Sequence, residues 1–201
     1  MGAGGVYTIA SGGVGDDLNL TGATTVTMNS NATISAPIVG TGALTVAGPD
    51  TLTLSSSNTY TGGTIINSGS TLNVTGAITG AVADGGTFDV GNSLSITDLT
   101  GSGAINLGGN SLTINPTAAD TFSGTPTGTF IFRVASNSLT LNGNLAGFSG
   151  IYDPINSGTL TLNATGLLNS AAVLESQNNG TLNVAERNLN GNVLDFFSNN
   201  V

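Results

Sequence analysis

The sequence predicts an all-β fold, a right-handed parallel β-helix (β-solenoid) with coils of about 20 residues. Three observations carry that expectation. Apolar residues arrive in short x-L-x-L units of period two, set among Thr, Ser and Asn and broken by Gly62-Gly63, Gly85-Gly86 and Gly108-Gly109. That is the pattern of half-buried strands joined by tight turns. Strands that look equivalent recur at steps of 20 (52 to 72), 22 (72 to 94), 18 (94 to 112), 18 (112 to 130), 21 (139 to 160) and 22 (160 to 182) residues. Antiparallel hairpins give no reason for such a shared register. Finally, only 6% of residues are charged while 38% are hydrophobic, with 31 Gly and no Cys, His or Trp. Such a chain must rest on stacked packing and backbone ladders, without disulfide staples.

In chain order the expected strands include Leu18/Leu20, Val26/Met28, Leu44/Val46, Leu52/Leu54, Leu72/Val74, Phe88/Val90, Leu94/Ile96, Ile105/Leu107 and Leu112/Ile114. They continue with Phe130/Phe132, Leu139/Leu141, Leu160/Leu162 and Leu182/Val184. Inward Leu, Ile, Val and Phe stack on the coils above and below, while outward Thr, Ser and Asn meet their equivalents next door. Glycines are expected at corners where the backbone takes positive φ, and Asn serves there less freely. Residues 1–166 read as solenoid coils, and 167–201 as a final coil with a C-terminal cap or docking segment of the same domain. Within that segment Leu167 to Glu175 is compatible with one or two helical turns, and Leu194-Asp195-Phe196-Phe197 forms a compact apolar patch. An open solenoid end is an unpaired strand edge over exposed core, so a cap is the natural expectation.

The clearest unit runs from Thr51 to Val74, TLTLSSSNTYTGGTIINSGSTLNV. Degenerate copies, each a strand, an aromatic followed by Ser/Thr-Gly and another strand, run over Leu112 to Phe132 and Leu139 to Leu162, with Phe122 and Phe148 replacing Tyr60. The structural positions of the unit are Leu52, Leu54, Asn58, Tyr60, Gly62, Gly63, Gly69, Leu72 and Val74. Over Leu52 to Val74 this stretch resembles the autotransporter-associated β-strand repeat. The resemblance implies the passenger of an outer-membrane autotransporter, an exported β-helical rod displayed on a bacterial surface for adhesion, aggregation or biofilm. The sequence shows neither a signal peptide, since Met1 to Gly5 lacks a basic and an apolar region, nor a C-terminal run of barrel strands. The expectation is an excised passenger if the chain is a piece of an autotransporter, and a protein that uses the repeat for another purpose if it is a whole gene product.

Charge narrows the partners. Two Lys+Arg against 11 Asp+Glu give a net charge of −9, which leaves no cationic surface for nucleic-acid phosphates or anionic lipid. No apolar run reaches the length of a membrane helix. Partners are therefore expected to be the chain itself, end to end or laterally, and cell-surface or matrix ligands, with no nucleic acid and no membrane insertion.

Catalytic machinery is hard to assemble from these residues. Without His or Lys a serine nucleophile has no conventional base. Asp16-Asp17 after Gly15 looks like the acidic pair of polygalacturonases, but strand neighbours point to opposite faces, so a turn is the simpler assignment. Gly12-Gly13-Val14-Gly15-Asp16-Asp17 begins like a calcium-binding nonapeptide, yet no second copy follows; a turn is again preferred. Arg133 would be the base of a lyase only beside acidic residues recurring at the coil spacing, and an outward strand position is expected instead. Tyr60, Phe122 and Phe148 suit a corner or core stack better than a sugar-stacking ladder. No catalytic, cofactor-binding or metal residue is assigned, and no cofactor is expected. The expected function is a non-enzymatic extracellular adhesin or scaffold. The alternatives are a subunit stacking end to end into a filament, through Val6, Ile9, Leu194, Phe196 and Phe197, and, with least support, a polysaccharide-active enzyme.

Overall fold

A computed structural model describes residues 7–13, 15–163, 168–184 and 193–196, the last four by backbone alone. Each coil visits three faces in turn. The first two coils use β1 (Tyr7–Ile9), β2 (Leu18–Leu20), β3 (Thr24–Thr27), then β4 (Ala32–Ile34), β5 (Ile38–Gly40) and β6 (Leu44–Ala47). The next two have regular strands on two faces only, β7 (Thr51–Leu54) with β8 (Thr64–Ile66), and β9 (Thr71–Val74) with β10 (Val82–Asp84). Three full coils follow: β11 (Thr87–Val90), β12 (Leu94–Ile96), β13 (Leu99–Gly101); β14 (Ala104–Asn106), β15 (Leu112–Ile114), β16 (Ala119–Phe122); β17 (Thr125–Thr127), β18 (Ile131–Val134), β19 (Ser138–Leu141). The chain continues through β20 (Ile151–Pro154), β21 (Thr159–Leu162), β22 (Val173–Ser176), β23 (Thr181–Val184) and β24 (Val193–Phe196).

Face I is the sheet β1-β4-β7-β9-β11-β14-β17, and face III is β3-β6-β8-β10-β13-β16-β19-β21-β23. Face II begins as β2-β5 and resumes as β12-β15-β18-β20-β22-β24. Between its two parts the ladder is carried by single bonds, such as Thr59 N–H to Ile38 C=O at 2.8 Å and Asn58 N–H to Ala77 C=O at 2.9 Å. Among the described residues every strand pairing is parallel and joins successive coils, as in Leu52↔Leu72 and Leu139↔Leu160. The parallel solenoid expected from the sequence is the observed fold.

Register differs from the sequence expectation in two places. Leu72 pairs with Phe88 on face I, whereas Leu94 lies on face II and pairs with Leu112; the step from 72 to 94 joined strands of different faces. Leu112 pairs with Phe132 rather than with residue 130, because Phe130 sits outside β18 and is 48% exposed. Coil length therefore varies more than the apparent repeat suggests. The pairings Leu72↔Phe88 and Phe88↔Ile105 close short coils, and Leu160↔Leu182 closes a long one. The three repeat copies also start on different faces, with Leu52 on β7 (face I), Leu112 on β15 (face II) and Leu139 on β19 (face III). Each face obeys the same rule, an inward x-L-x-L followed by a polar corner with Gly, so similarity alone does not fix the phase.

The helical turns allowed for Leu167 to Glu175 do not form among the described residues. Ala172 N–H bonds to Asn169 C=O at 2.9 Å in a turn, and Val173–Ser176 is strand. The apolar side chains of Val173 and Leu174 gain more by pairing with Ile151 and Tyr152 than by closing a short helix. Leu167 lies outside the described residues.

Inward side chains form one continuous core. Leu52, Leu54, Leu72, Val74, Phe88, Ile105, Leu139 and Leu160 are all fully buried, and each such leucine cut to Ala costs about 2–5 kcal/mol. Coils approach so closely at their corners that a side chain is excluded at several glycines. A Cβ on Gly42 would stand 2.1 Å from Gly22 O, and one on Gly62 would stand 2.4 Å from Gly42 C. At another corner a Cβ on Gly124 would meet Gly103 O at 1.9 Å, and one on Gly143 would meet Gly124 O at 1.8 Å. Gly62 is thus selected by close approach, not by positive φ as expected, while Gly63 and Gly69 do adopt φ of 81° and 82°.

Candidate functional site

Around the repeat unit, Asn58 has a role that its turn-forming chemistry alone does not reveal. Its side chain is buried. The carboxamide oxygen accepts from Ile38 N–H of the preceding coil at 3.0 Å. Its Nδ2 donates to Ser56 C=O at 2.8 Å and to Ala77 C=O of the following coil at 2.9 Å. One side chain therefore satisfies backbone groups on three consecutive coils, where face II lacks regular strands. Only an amide presents an acceptor and two donors for this purpose.

Tyr60, the next motif residue, is buried with its hydroxyl 2.6 Å from Thr64 Oγ1. Burial pushes its phenol up to about 12, against the smaller opposing effect of the Thr64 hydrogen bond. Phe122 and Phe148 are fully buried as well, so none of the three is a sugar-stacking platform. They do not form one stack either. Phe122 ends β16 on face III, whereas Phe148 bridges to Gly128 beyond β17 and packs on Tyr152 with ring centroids 4.7 Å apart.

The outward residues divide by charge. On face III the outward column runs Thr25, Thr45, Ile65, Ala83, Thr100 and on through Thr121, Thr140, Thr161 to Asn183. It holds no charged residue from β3 to β23. On face II the corresponding column reads Ser95, Thr113, Arg133, Asp153, and Glu175 follows one coil on in β22. Acidic residues do recur at the coil spacing beside Arg133, contrary to the sequence expectation. Arg133 Nε and Nη2 lie 2.8 and 2.6 Å from Asp153 Oδ2, so the guanidinium is committed to a carboxylate that is 1% exposed. A general base cannot be made from an arginine held in this way.

Sequence reasoning also missed a carboxylate pair. Asp98 Oδ1 accepts from the Thr117 N–H at 2.7 Å and hydroxyl at 2.8 Å, while Asp120 Oδ2 accepts from Leu99 N–H at 2.8 Å. Burial works against the charge of Asp98, but the bonds from Thr117 and Thr97 outweigh it and hold the group below its ordinary value. Asp120 is pushed up by burial and by repulsion from Asp98, with the Leu99 bond opposing. Both carboxylates cap strand backbones at one corner. Their separation in sequence, close to one coil, was the signal that could have found them.

Asp16 and Asp17 lie in the turn before β2, where Asp16 N–H bonds to Gly13 C=O at 3.4 Å and Asp17 N–H to Gly15 C=O at 3.1 Å. Among the described residues no three His, Cys, Asp or Glu side chains converge on one point. Nor is any helix there long and apolar enough to cross a membrane. Of the residues expected at an end-to-end interface, Ile9 is on β1 and 49% exposed, beside Tyr7 at 67%. Leu194 and Phe196 are on β24, the last described strand of face II. Val6 and Phe197 lie outside the described residues.

Residues 40–74 match the family model of the passenger-associated-transport-repeat. The chain is 33% identical over 179 residues to the adhesin BmaC autotransporter of Brucella suis biovar 1 (strain 1330), an alignment covering 84% of this chain and 5% of that protein. It thus spans a small fraction of its relative's length. No solved structure matches. The matched repeat covers the same Leu52 to Val74 unit whose Asn58 ties three coils together, and the chain is a β-helix that carries the autotransporter passenger repeat.

Proposed function

We propose that this chain is a non-enzymatic, extracellular part of an adhesin-type passenger, a stiff β-helical rod that presents contact surface away from the cell. The alignment with an adhesin autotransporter along 84% of the chain is the observation that carries the reading. The uncharged Thr-lined column of face III supports it, since a chain with a net charge of −9 needs a neutral flank to approach a cell or matrix surface that is itself anionic. One oxygen of each of Asp98, Asp120 and Asp153 is held by backbone or arginine donors, which weighs against a polysaccharide-active site. The test is adhesion of beads coated with the purified chain to host cells and matrix proteins, beside beads coated with an unrelated acidic solenoid. Retention equal to that control would overturn the reading, as would polysaccharide cleavage in a reducing-end assay.

The exposed Tyr7 and Ile9 on the first described strand favour a second reading, end-to-end stacking of chains into filaments. Electron microscopy beside light-scattering mass tests it. Fibres of uniform width that Ile9→Asp abolishes are expected, and a monodisperse single-chain rod at all reachable concentrations rejects it.

A further inference from the structure

One buried ionisable group inside the solenoid has no role in adhesion or in coil stacking. Asp84 ends β10 with its side chain fully buried at the corner that leads from face III to face I. Its Oδ1 accepts from Gly86 N–H at 3.0 Å, and its Oδ2 has no partner. The neighbouring coil is cut back to admit it. Gly101 stands at its register position and Gly103 lies against the carboxyl, where a Cβ would be 2.5 Å from Oδ1. On the other side the register partner is Ile66. Ser70, on that same corner one coil earlier, has a buried hydroxyl that also lacks a partner.

No charged side chain faces Asp84 among the described residues. From β8 the inward groups are Thr64 and Ile66, from β9 Leu72 and Val74, and from β11 Phe88 and Val90. Asp89 is an outward residue of β11, and Asp50 lies two coils away, before β7. Asp98 and Asp120 cap the opposite edge of face III, where β13 begins. The coils are also short here, since Phe88 pairs with Leu72 behind it and Ile105 ahead. A carboxylate enclosed there has neither solvent nor a counter-ion to stabilise its charge.

We infer that Asp84 makes this corner a pH-sensitive latch, closed while the carboxyl carries its proton and loosened when it ionises. Protonated, the carboxyl is neutral and the desolvation penalty of the charge is gone. Burial pushes Asp84 up to about 6, with the Gly86 bond opposing. The latch therefore works between acidic and neutral conditions. Because the folded group holds its proton more tightly than the unfolded one, stability of the corner is fully present below about 4 and falls as pH rises through about 6.

Hydrogen exchange of the full chain between pH 4.5 and 8, corrected for intrinsic rates, tests the latch. Protection at residues 82–90 and 99–106 is expected to fall by up to about 30-fold across that range, the part of a shift of about two pH units that lies above pH 4.5, while residues 45–54 keep theirs. In Asp84→Asn the same amides should hold constant protection. Unchanged protection in the wild type, or an equal fall in Asp84→Asn, overturns the inference. Should that variant not fold, the carboxyl carbon of Asp84 in the wild type is followed by NMR: a midpoint near 6 shared with the Gly86 amide supports the latch, and one near 4 rejects it.

Discussion

Arg133 and Asp153 stand opposite one another on adjacent strands of face II, and two guanidinium nitrogens converge on a single carboxylate oxygen. The carboxylate is buried whereas the arginine remains partly exposed. Removing the cation would strand a buried charge, which typically costs about 3–5 kcal/mol, whereas a well-packed apolar pair is often neutral. Arg133→Leu is expected to lower the urea midpoint sharply, and Arg133→Leu with Asp153→Leu to recover most of the loss. Equal midpoints for the single variant and the wild type would show that the pair contributes nothing.

Asn58 gives a test of the three-coil staple. Asn58→Ala leaves the Ile38 amide without its acceptor, at about 1–3 kcal/mol, and removes the second donor from the Ser56 and Ala77 carbonyls, which keep the backbone N–H groups of Ala77 and Asn58. Asn58→Asp keeps the shape but turns a carboxylate oxygen towards two carbonyls. It should be at least as damaging as the Ala variant in chemical denaturation at pH 7, and the order of the two variants is the informative result.

Close approach at the glycine corners makes a prediction that composition alone does not. Gly143→Ala places a Cβ 1.8 Å from a backbone oxygen, while Gly109 has nothing within 4 Å of that position. The first substitution forces a coil to shift and should cost about 1–3 kcal/mol. Gly109→Ala should stay within about 0.5 kcal/mol of wild type. Thermal melts of the two variants side by side decide the matter.

Alkaline titration addresses Tyr60. Its phenol is held up to about 12 by burial, above the ordinary value of about 10, so the folded state retains a proton that the unfolded state releases. The stability it contributes is complete below about 10 and is lost as pH rises towards 12. Tyr60→Phe is expected to reduce the slope of that part of the pH–stability profile, the remainder coming from the Tyr152 phenol that burial also pushes up, and to leave the Thr64 hydroxyl unpartnered, at about 1–3 kcal/mol. An unchanged slope between pH 10 and 12 in the variant would remove Tyr60 from the explanation.

The solenoid was legible because period-two apolar units and Gly-rich corners are local signals, and Leu52, Leu54, Leu72 and Val74 are all inward as their alternation required. Phase was not legible. Leu72 and Leu94 look equivalent, yet Phe88 is the residue that stacks on Leu72, since a short coil and a long one expose the same x-L-x-L pattern. The Ile-Asn-Ser-Gly of residues 66–69 and of 155–158 likewise turns different corners, one after β8 and the other after β20. Side-chain roles that depend on the next coil were hidden for a related reason. Asp153 lies one coil beyond Arg133, and only a fixed register turns that interval into a contact. The bonds of Asn58 to Ile38 and Ala77 cannot be anticipated without knowing which coils flank it.

Because every strand pairing among the described residues joins a coil to its immediate neighbours, no contact in those sheets requires residues much more than one coil apart in sequence. The molecule is in effect one-dimensional, a row of segments coupled to the next in line. Length then becomes an adjustable quantity: excision or duplication of a whole coil, cut at equivalent points of one corner, leaves both flanking ladders able to join. Such a row can assemble progressively from either part already ordered, each new coil finding its template in the one before it, without waiting for distant segments to meet.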